Sequence, residues 1–131
     1  MDIKISVDDT APRQMLNRAP ANVKRASRAA MNDSTALLLR DLRTYPAPPA
    51  NSTYTRTRTL SNSWSREFSD FRGFVGSNGR IAPHNRFVQD ADKQARIHRG
   101  RWTNTVQGVA ERRKGAIVKF FRERTRQYVG K

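Results

Sequence analysis

Cysteine is absent from all 131 residues, so neither a disulfide nor a thiolate-held metal is open to this chain. Histidine is scarce. His84 and His98 stand fourteen positions apart with no regular carboxylate partner, a poor metal signature, and both read as surface residues. Long apolar runs are missing too. The longest purely aliphatic one, Ala36 to Leu39, is far below the roughly 20 residues that cross a bilayer. Met1-Asp2-Ile3-Lys4 lacks the basic and apolar regions of a signal peptide, so the expectation is synthesis in the cytoplasm and no membrane partner. Catalytic constellations are lacking as well. Asp90 and Asp92 are paired carboxylates in a basic, solvated region, where charge balance is their expected role. "GSNGR" is neither a phosphate loop nor a dinucleotide motif, and the serines and threonines of 51–65 have no base beside them. The reading is a non-enzyme without cofactor, metal or catalytic residue.

Acidic residues are few: 11 Asp and Glu against 26 Lys and Arg, a net charge of +15. Arginine dominates, 20 to 6 over lysine. Its planar guanidinium makes bidentate contacts with carboxylate and phosphate and is weakly hydrated, which suits interfaces. Such a balance points to an anionic neighbour. The charge is uneven: residues 86–131 carry 13 bases against 4 acids, a net +9, whereas 1–49 and 50–85 carry +3 each. The apolar supply is modest, 36% of residues with a mean hydropathy of −0.84. A chain of this length can bury roughly two thirds of its unfolded surface. A small core is therefore expected, with segments that order against a partner.

The patterning predicts an α+β domain over 1–131, a small antiparallel sheet packed against two longer helices, one N-terminal and one C-terminal. "IKISV" alternates Ile3, Ile5 and Val7 with polar residues, as a half-buried strand does. From Pro20 to about Arg43, one helical face collects Val23, Ala26, Ala30, Ser34, Leu37 and Leu38, small first and bulky later. Pro46, Pro48 and Pro49 end that helix and keep 46–59 extended. A strand is expected from Leu60 to Phe68 and a second around Phe74 and Val75, with a turn at Gly76 to Gly79. The last helix is expected from Thr103 to about Tyr128, opened by a capping box of Asn104 and Gln107. Trp102, Val106, Val109, Ala110, Ile117, Phe120, Phe121 and Tyr128 share one broad side of it. Arg112, Lys119, Arg122 and Arg126 gather opposite. Arg113 and Arg124 intrude on the apolar side; their stems line the core edge, or they meet acids of a neighbouring subunit. The expected core anchors are Leu37, Leu38, Leu60, Trp64, Trp102 and Phe120.

In "YPAPPANSTYTRTRTLSNSW", residues 45–64, a helix end in tyrosine and prolines is followed by a loop and a Thr-X-X-Leu-X-X-Ser-Trp start, carried by Thr57, Leu60, Ser63 and Trp64. Downstream come Phe87, Val88, Gln89, Gln94, His98, Gly100 and Trp102. This order resembles the phage tail-completion and head–tail joining family of neck and minor tail proteins. The chain departs from it in Arg58 and Thr59, where many members have glycine, and in Ile81 before Ala82.

The resemblance implies a virion protein at the neck or upper tail, acting in an oligomeric ring. It implies as partners other copies of itself and a tail terminator, tail tube or head adaptor, with passing contact to phage DNA. The assembly-interface candidates are Tyr54, Arg56 and Arg58 in the central loop, and Arg112, Arg113, Lys119, Arg122, Arg124 and Arg126 in the last helix. The alternative is a standalone basic nucleic-acid-binding protein. It finds less support, because Trp102, Phe120 and Phe121 sit on the apolar side, where packing is the default over base stacking.

Overall fold

Strand β1, Ile3–Asp8, comes first, followed by helix α1, Ala21–Leu42. The computed structural model describes residues 3–8, 20–45, 59–83, 85, 89 and 103–130. Pro20 stands at the N-cap of α1 with ψ at 155°, and its carbonyl receives the N–H groups of Val23 and Lys24. Proline suits this place because its ring fixes φ and it lacks only an N–H that the first turn leaves unpaired. The buried face of α1 is Ala26, Ala30, Met31, Ser34, Thr35, Leu38, Asp41 and Leu42. Two hydroxyls on it are satisfied internally: Ser34 Oγ donates to the Ala30 carbonyl at 2.7 Å and Thr35 Oγ1 to that of Met31 at 2.8 Å. Small residues can therefore occupy the inner face without leaving a buried donor unpaired.

The sheet has three strands in the order β1-β3-β2. Strand β2 is Trp64–Phe68 and β3 is Arg72–Ser77. The two form a hairpin, closed where Ser69 N–H reaches the Arg72 carbonyl at 2.7 Å. Strand β1 pairs antiparallel with the other edge of β3, setting Ile3, Ile5 and Val7 opposite Ser77, Val75 and Gly73. Alternation on β3 buries those three β3 residues, and Trp64 lies opposite Ser77 on β2.

Here α1 crosses the sheet. A Cβ on Gly73 would stand 2.8 Å from Thr35 Cγ2 and 3.3 Å from Met31 Sδ, so glycine is what lets helix and strand approach.

Three local expectations are corrected. The stretch from Leu60 is not yet strand: Thr59–Asn62 forms a short helical turn, α2, and extended structure begins at Trp64. The cause is Ser63, whose N–H and hydroxyl both donate to the Leu60 carbonyl, at 3.1 and 2.6 Å, and close the turn. Ser63 also meets Ser77 hydroxyl to hydroxyl at 2.8 Å, while its carbonyl receives Asn78 N–H. Gly76 belongs to β3, opposite Ser65 and Lys4, and the turn begins only at Asn78, whose side-chain oxygen accepts Arg80 N–H.

The third correction concerns the last helix, α3, Val106–Tyr128. Thr105, not Asn104, is its N-cap and accepts from Gly108 N–H at 3.1 Å. Asn104 instead donates to the Thr44 carbonyl at 2.7 Å, fastening the start of α3 to the end of α1. Gln89 Oε1 takes a further first-turn donor, Val106 N–H, at 2.6 Å, and is itself held by Asn85.

Leu38 and Leu42 of α1, Trp64 and Val75 of the sheet and Val109 of α3 form the core, with Leu39, Val106 and Ile117 packed against it. Trp64 is 2% exposed and spans the layers. Its indole N–H donates to Tyr45 OH at 2.9 Å, and its carbonyl accepts from the Arg43 guanidinium at 2.8 Å. The architecture is thus α+β, with two long helices on one small antiparallel sheet.

Candidate assembly interface

Helix α3 runs 23 residues, about 34 Å at 1.5 Å per residue, yet Val109 is its only fully buried position. Ala110, Ile117, Phe120 and Phe121 are half-buried, and Tyr128 is exposed. Apolar burial therefore secures the first turns of α3 more firmly than the last. Two arginines supply the rest of the attachment.

Arg113 and Arg124 project toward α1, where two aspartates meet them. Arg113 Nε lies 2.5 Å from Asp41 Oδ2, with a second contact to Oδ1 at 3.2 Å. Arg124 Nε lies 2.7 Å from Asp33 Oδ2, with its NH2 group 3.1 Å from Oδ1. Both pairs are two-pronged, the geometry in which guanidinium and carboxylate match best. The hydrogen bond to the aspartate, reinforced by its charge, raises the pKa of each arginine above its ordinary value. Partner order also fixes orientation. Residues 41 and 33 descend along α1 as 113 and 124 ascend along α3, so the helices pack antiparallel.

Asp33, Leu37 and Asp41 follow each other at four-residue steps and share one stripe of α1. That spacing marks a charged stripe in the sequence, but nothing local names the bases that meet it.

Beside the Arg124–Asp33 pair, α1 and α3 leave an open cleft of about 580 Å³. Apolar Ala36, Leu37 and Phe120 line it together with charged Asp33, Arg40, Glu123 and Arg124.

The opposite face of α3 is solvent-exposed and carries Arg112, Lys114, Lys119, Arg122 and Arg126. Arg112 donates to the Thr103 carbonyl and to Asn104 Oδ1, which braces the start of the helix. Lys119 stands 3.8 Å from Glu123, a fully wet pair one turn along. Lys114, Arg122 and Arg126 have no ion pair or hydrogen bond among the described residues. The arginines of α3 are thus sorted: those facing α1 are neutralised by its aspartates, and those facing water keep their charge.

The other sequence-selected residues fall as follows. Leu38 and Trp64 lie in the core, while Leu37, Leu60 and Phe120 are half-buried. Tyr54, Arg56, Arg58, Trp102 and nearly all of the 46–59 loop lie outside the described residues; Thr59 opens α2.

A second cationic feature went unread in the sequence. The Arg28 and Arg66 guanidiniums lie 5.1 and 5.3 Å from the Phe68 ring centroid. Arg66 also donates to the Asn32 carbonyl and side chain and to Thr35 Oγ1, so it ties β2 to α1. These residues are 31 to 34 positions apart, beyond the reach of periodicity.

No family model, curated protein or solved structure matches this chain.

Proposed function

We propose that the chain is a structural subunit of a tailed-bacteriophage virion, which completes the tail or joins head to tail at the neck within an oligomeric ring. The resemblance in residues 45–64 and 87–102 supports the family. The sorting of charge on α3 is the observation that carries the role. A helix held to its own fold by two internal ion pairs turns Arg112, Lys114, Lys119, Arg122 and Arg126 outward, and among the described residues only Lys119 of these has a carboxylate partner, an exposed one. Such a surface suits docking on an acidic protein. Acidic neighbours are favoured over DNA for most of these arginines, because a lumen that gripped phosphates strongly would slow DNA exit. Repeated contacts in a ring are heterologous, so each copy offers one face and receives another.

The test replaces Arg112, Lys119, Arg122 and Arg126 together by Glu and counts particles and their DNA content. The assembly role predicts a folded variant that leaves heads and tails unjoined, since like charges then oppose the acidic partner. Normal particles that lose or misrelease DNA would transfer the face to nucleic acid. Fully infectious particles would overturn both. Locating the chain in intact particles by cryo-electron microscopy tests the virion assignment directly.

A further inference from the structure

The outer face of α3 has a finer pattern than a cluster of cations. Gly115, Val118, Arg122 and Thr125 of α3 and Val129 at its C-cap follow one another at steps of three, four, three and four, and all five are exposed. Those steps trace a seam along one side of a helix, the a/d spacing by which helices pair. Val118 is 53% exposed and Val129 is 40% exposed, two of the few large apolar side chains that the described residues leave to solvent. At Gly115 a Cβ would meet nothing within 4 Å, so the helix surface is notched there and open to close approach. Beside the seam run Arg112, Lys119 and Arg126, seven residues apart and about 10.5 Å from one to the next. This is one flanking position of the heptad, occupied by a cation three times in succession.

We infer that this face of α3 is a docking seam for an acidic amphipathic helix of a partner protein. The proposal rests on the assembly role for the partner's identity as a neck or tail component, and it adds the mode of contact. Apolar knobs of the partner pack over Val118, Thr125 and Val129 beside the Gly115 notch. Carboxylates along the partner's flank meet Arg112, Lys119 and Arg126. Arg122, in the middle of the seam and unpaired among the described residues, takes a carboxylate bidentately.

Charge complementarity commits the occupant to an acidic partner, and one observation favours protein over nucleic acid. The apolar residues are interleaved with the cations, where a phosphate backbone has nothing to gain from them.

The full-length chain is titrated with a labelled helical peptide of about three heptads, leucine at its seam positions and glutamate at its flanks. A scrambled peptide of the same composition and a duplex DNA of two helical turns are run in parallel. Anisotropy is expected to show the patterned peptide binding about tenfold or more tighter than the scrambled one. Amide exchange should slow along the second half of α3. Replacing Arg112, Lys119 and Arg126 by Glu should abolish binding. Val118→Arg is the discriminating variant: it adds charge but spoils the seam, so docking weakens while any DNA binding strengthens. Equal binding of the two peptides, or tighter peptide binding by Val118→Arg, overturns the proposal. So does DNA binding tighter than that of the patterned peptide. Absence of the chain from virions would refute the assembly role alone, since the peptide result is read on the isolated protein.

Discussion

Gly73→Ala puts the packing of α1 on the sheet to a direct test. The new methyl carbon would lie 2.8 Å from Thr35 Cγ2, whereas carbon atoms in contact settle at about 3.5–4.0 Å. At least about 0.7 Å must therefore be recovered by movement. Thr35 cannot easily supply it. Its hydroxyl donates to the Met31 carbonyl and receives Arg66, so rotating the side chain breaks both contacts. Met31 Sδ, at 3.3 Å, closes the neighbouring direction. The remaining route is for α1 to lift from β3, and overpacking of this kind costs about 1–3 kcal/mol. Alanine returns about 0.5–1 kcal/mol through its smaller conformational freedom in the unfolded chain. The net expectation is a loss of about 1.2 kcal/mol, and at most about 2.5 kcal/mol, read as a fall of about 0.6 M in the urea midpoint with an unchanged slope. A second variant tests the cause. Thr35→Ser removes Cγ2 but keeps the hydroxyl, so Gly73→Ala should cost at least about 1 kcal/mol less in that background. An unchanged or higher midpoint for Gly73→Ala, or the same cost with and without the Thr35 methyl, would refute the close-approach argument.

The glycines of α3 should respond in opposite directions. Gly115→Ala meets open space and should stabilise the isolated protein by about 0.5–1 kcal/mol in thermal unfolding. Gly108→Ala would place its Cβ 2.5 Å from the Thr103 carbonyl oxygen and should destabilise it despite alanine's better helix propensity. Trp64→Ala should cost about 3–5 kcal/mol, because it empties the centre of the core and removes the indole donor to Tyr45 OH; a folded variant of near-normal stability would show that Trp64 is not a packing anchor. Asp33→Asn with Asp41→Asn should speed amide exchange along α3 while leaving the β2–β3 hairpin protected; uniform loosening would mean that the two ion pairs do not act locally.

The bounds of α1 were legible because a proline opens the helix, another follows its end, and the small-then-bulky stripe between them has one period. The outward cations of α3 were legible for the same reason: a 3.6-residue repeat assigns sides to a helix without any knowledge of its surroundings. Leu60–Asn62 was misread as strand because alternation in "LSNSW" looks extended, whereas the competing closure by Ser63 onto the Leu60 carbonyl is a hydrogen bond that only coordinates reveal.

By itself the sequence determined the composition-level properties: a cysteine-free, arginine-rich chain with charge massed in its last third, two periodic helices and a short alternating strand. Only the tertiary structure decided where β1 joins the sheet, why Gly73 must be small, and what becomes of Arg113 and Arg124. Those two arginines find their aspartates 72 and 91 residues away. Local periodicity reaches a few turns and stops there. Which charges are neutralised inside and which remain for a partner is settled when α1 and α3 pack antiparallel, because ion pairing depends on distances that no stretch of sequence contains.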